Sequence, residues 1–417
     1  MLSVVQGIMN LGAAVMLPIV MCILCLIFRM GIGKSVRAGL MIGIGFSGLV
    51  MVINALMATV EPAIGYYRGL QGGGFTTVDV GWAAVGAASW AAPFAAPAVL
   101  IIVVINIIMI ALKWTNVLNV DIWNYIHFLI PGSMAYALTG NLWIGLGIVL
   151  VLAVITLLLA QVIAPYWQEY YGLEGTTCST LSFISFAWPF GILLNRLIDR
   201  IPGLRKIDLS MEKVGARLGF FGDPAFIGVI VGVFLGLLTR RGRQGVLTMG
   251  IGIAAALVLL PRMVSVMMEG LSIVGDGAQE FMKRHLGKDR ELNIGMDIAL
   301  ALGDPAAITT TVLMIPLSII VFAFIIPNMT YFPVGVLTNI VYMVPLISLA
   351  GKGNLFRTVT ISALFLFIVE WLANIFAPEA TAMMSTMGVD VNGMVTDAYF
   401  GFSLPNVIIA TLHQIFG

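Results

Sequence analysis

Apolar runs long enough to enter a bilayer recur along the chain, separated by short polar turns that contain glycine, proline or basic residues. The pattern predicts membrane helices over 11–28, 38–60, 98–112, 141–163, 226–238, 245–260, 315–326, 334–349 and 359–376, with shorter runs at 184–194 and 407–416. About ten or eleven spans fit. The second span is rich in glycine at 39, 43, 45 and 48, and small residues at such spacing favour helix packing over ligand binding. Several stretches break the pattern. Asp79, Trp82 and Trp90 sit among small residues, and Pro93 and Pro97 follow, which predicts a broken or re-entrant element feeding a full span. Residues 119–131 hold Asp121, Trp123, Asn124 and His127 in one compact run, where Asp121, Asn124 and His127 share a face at helical spacing. A polar interruption at 168–183 contains Glu169, Glu174 and a hydroxyl cluster around Cys178. Residues 196–217 form the longest charged stretch, with six basic side chains, and predict an aqueous, cytoplasmic linker with an amphipathic helix. Such a linker docks a soluble partner, meets lipid headgroups, or is simply solvated. Residues 377–406 read as a loop.

The apolar stretch 292–324 contains Asp297 and Asp304, seven residues apart. Asp304-Pro305 is a helix-start signal: the carboxylate caps open N–H groups and proline fits the first position. Gly222-Asp223-Pro224-Ala225 repeats the device before another apolar run. Carboxylates at helix starts inside apolar sequence predict a polar site at the centre of a transporter; the ordinary alternative is a pair of caps at the membrane surface. The region of residues 43–45 matches that of 250–252, and 78–93 matches 292–307. These matches predict two structural repeats, approximately 11–165 and 222–376, within a single membrane domain spanning 1–417. Transporters place substrate where such repeats meet.

Composition strengthens the membrane assignment. With 60% hydrophobic and 10% charged residues and a mean hydropathy of +1.05, the chain reads as an all-α polytopic membrane protein. The short alternating segments of a membrane barrel are missing. A net charge of +1 gives no nucleic-acid footprint. Cys22 and Cys25 lie in an apolar helix without zinc-ligand partners, and no metal or cofactor is expected. No Walker motif is present, which excludes ATP hydrolysis by that device. The start lacks the charged region of a cleaved signal, so the first helix is expected to stay. Fixed carboxylates accept the O–H groups of a polyhydroxylated solute, and Trp82, Trp90 and Trp123 suit its C–H faces. Each tryptophan has an alternative role as an interfacial belt residue. His127 is either a hydrogen-bonding group or a packing histidine.

The chain resembles, over nearly its whole length, the membrane-spanning C subunits of the galactitol branch of the bacterial phosphotransferase system. The resemblance rests on Val78-Asp79-Val80-Gly81-Trp82, Val120-Asp121-Ile122-Trp123-Asn124 with His127, Leu173-Glu174-Gly175, Phe221-Gly222-Asp223-Pro224 and Gly353-Asn354-Leu355-Phe356-Arg357. It implies uptake of a sugar alcohol across the bacterial inner membrane, coupled to phosphorylation by a B subunit (EIIB) that carries phosphocysteine and is charged by an A subunit (EIIA). By similarity to the ascorbate C subunits it implies a homodimer and an elevator motion of a core against a scaffold. This subunit then carries no phosphorylated catalytic residue of its own. The family's carboxylates and histidine map onto Asp79, Asp121, His127, Glu174 and Asp297. Together with the residue-based candidates, the expected substrate set is Asp79, Trp82, Asp121, Trp123, Asn124, His127, Glu174, Asp223, Asp297 and Asp304. After Glu174 the chain departs from the family pattern with Thr176-Thr177-Cys178-Ser179-Thr180, which extends the expected substrates to other pentitols or hexitols. The competing reading is an ion-coupled secondary transporter of a small polar solute. A membrane-embedded enzyme would need a tighter constellation than the sequence offers.

Overall fold

The computed structural model describes residues 13–70, 75–119, 121–209, 224–285, 292–318, 325–331, 333, 336–389 and 393–417. Helix α1 (Ala13–Ile27) turns back through Gly31, at φ 83°, into the long α2 (Ile32–Leu70). Strand β1 (Thr77–Asp79) leads to α3 (Trp82–Trp90) and α4 (Ala95–Ala111), which are bent by 84° from each other. Pro93 lies in the corner, where its missing N–H ends the first helix. The expected broken element is therefore present.

Strand β2 (Val117–Asn119) passes through a 3-10 turn, Ile122–Tyr125, into α5 (Ile126–Thr139), followed by α6 (Leu142–Tyr171). Asn141 starts α6 by accepting from the N–H groups of Trp143 (2.9 Å) and Ile144 (3.4 Å). Gly172, at φ 67°, ends it. At about 1.5 Å per residue α6 is roughly 45 Å long, more than the ~30 Å of a hydrocarbon core. Strand β3 (Thr176–Cys178) continues through a π turn into α7 (Trp188–Arg200). Beyond the linker come α8 (Pro224–Leu238), α9 (Arg243–His285) and β4 (Asn293–Met296). A 3-10 turn, Ile298–Gly303, separates β4 from α10 (Pro305–Leu317), and α11 (Val336–Ala350) and α12 (Leu355–Ile375) follow. The chain closes with α13 (Ala377–Thr386), β5 (Met394–Thr396), a short turn of helix at Tyr399–Phe402, and α14 (Leu404–Phe416).

Helices α1, α2, α8 and α9 pack on one another, and α9 also reaches the 298–303 turn and α10. The expected glycine packing is present, on two sides of α2: Gly39 and Gly43 lie against Pro18 of α1, and Gly45 and Gly48 against Met267 and Met263 of α9. Helices α10, α11 and α12 form a second group, joined by α7 and by the 399–402 turn. Among the described residues, α6 and α12 are long and apolar enough to cross a membrane, and the bent α3–α4 pair makes a third candidate. The molecule is largely helical and membrane-associated.

The all-α expectation needs one correction, because five short strands occur among the described residues. All ladders are parallel. β4 lies between β2 and β3, while β1 pairs with β5 on one side and bridges Tyr331 through Thr77 on the other. Strands this short carry no readable alternation, and their partners are remote in sequence. Side chains close the open edges, as a protein in lipid requires. Asn106 donates to the carbonyl of Val117 (2.8 Å) and accepts from the N–H of Asn119 (2.9 Å). Gln168 donates to the Thr176 carbonyl (3.0 Å) and to Asn293 Oδ1 (2.8 Å). The loop expected over 377–406 instead contains α13, β5 and the start of α14. Phe376, Ala377, Ala380, Met383 and Met384 are buried, so α13 has an apolar face that the polar letters around it obscure.

Candidate functional site

Four of the strands end in the same local device. An aspartate stands at or just after the strand, and its carboxylate accepts a backbone N–H from the turn that follows. Asp79 takes that of Gly81 (3.0 Å), Asp121 that of Asn124 (3.4 Å), Asp297 that of Ala299 (2.7 Å), and Asp397 that of Tyr399 (2.7 Å). Each carboxylate thereby fixes the direction in which the next side chains leave the strand. Asp121 aims Asn124 and His127, Asp79 aims Trp82, and Asp397 aims Tyr399.

These side chains meet beside Asp297. The Asn124 amide nitrogen lies 3.2 Å from Asp297 Oδ2 and 3.2 Å from His127 Nε2. Its oxygen accepts from the Thr180 N–H (3.3 Å) and faces Thr180 Oγ1 (3.0 Å). This orientation gives both ends of the amide complementary partners. Because His127 Nε2 then accepts, Nδ1 carries the proton and donates to Ser182 Oγ at 2.8 Å, with Tyr399 Oη 3.2 Å away. Ser182 donates onward to Tyr399 Oη (3.0 Å). Thr180 Oγ1 accepts from the Ile298 N–H (2.9 Å) and lies 3.3 Å from Asp297 Oδ2. Its single hydroxyl proton serves Asn124 or Asp297, one at a time. Ser179 ties the same loop to β4 by donating to the Met296 carbonyl (3.2 Å).

Trp82 forms one wall, stacked 6.0 Å from the His127 ring and 6.5 Å from that of Tyr399. Asn124, His127, Thr180, Ser182 and Tyr399 are buried, whereas Asp297 and Trp82 are half-buried. The carboxylate and the indole face are thus the parts of the network a solute can reach. A carboxylate with remaining lone-pair capacity, hydroxyls that both donate and accept, and an aromatic face together suit a molecule with alternating O–H and C–H groups.

Not every sequence candidate joins this cluster. Asp304 caps α10 as the sequence suggested, accepting from the N–H groups of Ala306 (3.3 Å) and Ala307 (3.1 Å). The Tyr170 hydroxyl also donates to it (3.2 Å). The 3-10 turn, rising about 2 Å per residue, puts it roughly 12–14 Å from Asp297. Asp121 is buried beneath the network as a support for its turn. Glu174 is exposed between Gly172 and Gly175. Asp223 and the side chain of Trp123 lie outside the described residues. Cys178 is fully buried within β3. Sequence reasoning missed Thr180, Ser182 and Tyr399 as members of the site. The strand–aspartate–turn pattern is the signal that points to Tyr399, since Val395-Thr396-Asp397 matches Thr77-Val78-Asp79.

The sequence profile of the family described as "PTS system sugar-specific permease component" (EIIC-GAT) matches residues 7–397. The chain belongs to this family. A relative of this EIIC chain, the galactitol-specific EIIC component of Escherichia coli K12, is 32% identical over 371 residues, covering 89% of this chain and 82% of the relative. A putative permease IIC component of the same organism is 31% identical over 386 residues, covering 93% and 88%. The molecule is therefore a membrane permease subunit of the phosphotransferase type that handles a sugar or polyol.

Proposed function

We propose that this EIIC subunit binds galactitol or a closely related polyol and carries it across a bacterial inner membrane. There the B subunit transfers a phosphoryl group from its cysteine sulfur to a substrate hydroxyl, and EIIA recharges it. The convergence of Asp297, Asn124, His127 and Thr180 beneath Trp82 carries the reading. In this scheme Asp297 Oδ2 accepts a substrate O–H, Asn124 and Thr180 exchange their mutual bonds for bonds to the next hydroxyl, and Trp82 covers the C–H face. His127 orients the amide of Asn124 from behind. Asp79 and Asp121 act as positioning residues.

The multi-pass arrangement, with about ten or eleven crossings, is built from two repeats in this reading. The reciprocal strand pairing supports it. β1, in the first repeat, bridges Tyr331 of the second, and β4, in the second, pairs with β2 of the first; β3 and β5, just beyond each repeat, complete the same exchange. The α1–α2 and α8–α9 pairs would then form a scaffold that dimerises, and the remaining elements a core that slides along it. Membrane vesicles loaded with energised EIIA and EIIB test the function directly. Accumulation of phosphorylated polyol alone is the expected outcome. Gradient-driven uptake of unmodified polyol without those subunits overturns it.

A further inference from the structure

A second group of acids lies behind the aromatic wall. Glu370, in the membrane-length α12, and Asp397, after β5, are both fully buried. Asp79, the last residue of β1, is half-buried and lies in register with Thr396 of β5, one residue before Asp397, whose Oδ2 has no hydrogen-bond partner. Glu370 Oε2 accepts from the Tyr331 hydroxyl, while Glu370 Oε1 has no hydrogen-bond partner. The groups acting on Glu370 are Tyr331, Asp79 and Asp397, and those acting on Tyr331 are Glu370, Asp79 and Asp397. The three acids are therefore near enough to raise one another's charge cost beside a phenol, and none of these interactions brings in a lysine, arginine or histidine. Two carboxylates cannot hydrogen-bond without a proton between them. An enclosed carboxylate oxygen with no donor is costly unless the group is neutral or a cation sits on it. Among the described residues no trio of His, Cys, Asp or Glu is arranged to hold a metal ion.

We propose that Asp79, Asp397 and Glu370 form a proton-binding site that locks β1 to β5 and α12. A proton between Asp79 and Asp397 turns two repelling carboxylates into a clasp at the junction where β1 pairs with β5, and a second proton on Glu370 keeps that acid neutral beside Tyr331, which itself bridges Thr77 of β1. Trp82 and Tyr399 leave that same junction to stack on each other, so the clasp also holds the aromatic wall of the candidate site closed. Loss of the protons to water drives the carboxylates apart and frees β1.

Infrared spectroscopy of the full-length protein in lipid nanodiscs, read at the carbonyl stretch of protonated carboxyl groups, tests the assignment independently of the solute carried. The wild type should show this band at neutral pH and lose it on alkalinisation, together with several degrees of thermal stability. Glu370→Gln, a neutral isostere, should lower the band and flatten the pH dependence of unfolding; Asp397→Asn should do likewise and serves if the first variant does not fold. Wild-type spectra that show no protonated carboxyl at neutral pH overturn the proposal, as does a band unchanged in every folded variant. A stabilisation by sodium at constant pH that Glu370→Gln removes also overturns it, because the ligand is then a metal cation.

Discussion

Replacing Asp297 by asparagine separates its two tasks. Oδ1 caps the 298–303 turn through the Ala299 N–H at 2.7 Å, and Oδ2 faces the Asn124 amide nitrogen at 3.2 Å and Thr180 Oγ1 at 3.3 Å. Asparagine caps as well as aspartate, so its carbonyl keeps the first contact and the fold should lose less than ~1 kcal/mol. The new NH2 group stands where Oδ2 was, turning an acceptor into a donor that opposes the Asn124 N–H. A solute hydroxyl then loses a bond to a charged acceptor, worth about 1.5–3 kcal/mol. At 1.4 kcal/mol per factor of ten, polyol affinity should fall roughly 10- to 100-fold. Equilibrium binding of radiolabelled galactitol to purified protein in nanodiscs measures this, with thermal unfolding followed in parallel. An affinity within about threefold of wild type, in a variant of unchanged stability, would remove Asp297 from the site.

Two further substitutions probe the surroundings, with a third as control. Tyr170→Phe deletes the hydroxyl that bonds Asp304 Oδ1 and Ser348 Oγ, both at 3.2 Å; it should cost about 1–2 kcal/mol of stability and leave binding alone, and a binding loss in a stable variant would bring Asp304 back into the site. Gly401→Ala drives a methyl group into the backbone carbonyl of Val369 on α12, so thermal unfolding should register a loss of about 1–3 kcal/mol or more. Gly147→Ala, with nothing within 4 Å, is the control and should be close to neutral.

The parts of the fold that follow from local rules were legible. The Asp304-Pro305 signal does start a helix, and Pro93 with its small neighbours does mark the bend before α4. Asn124, His127 and Asp297 were recognisable because polar side chains in apolar sequence need a reason to be there. Their surroundings were not legible, since partners come from distant segments: Thr180 meets Asp297 across 117 residues, and Ser182 meets Tyr399 across 217. The strands that bring them together are three or four residues long, too short for a periodic signal. Glu370 lay inside a strongly apolar run, where a single acid hardly changes the hydropathy. The methionine and alanine pattern of α13 was hidden because the surrounding threonines, glycines and acids resemble loop composition.

The interleaved ladders bear on the order in which the protein can be made. When β4 leaves the ribosome, both of its neighbours, β2 and β3, have already been synthesised. β1 has no such company, because Thr77 must wait for Tyr331 and then for Met394 before its amides and carbonyls are all engaged. Until then an extended segment with an open edge has to be sheltered from hydrocarbon, where unmet backbone groups are prohibitive. Folding thus includes a closing step, in which β5, made more than 300 residues after β1, seals it.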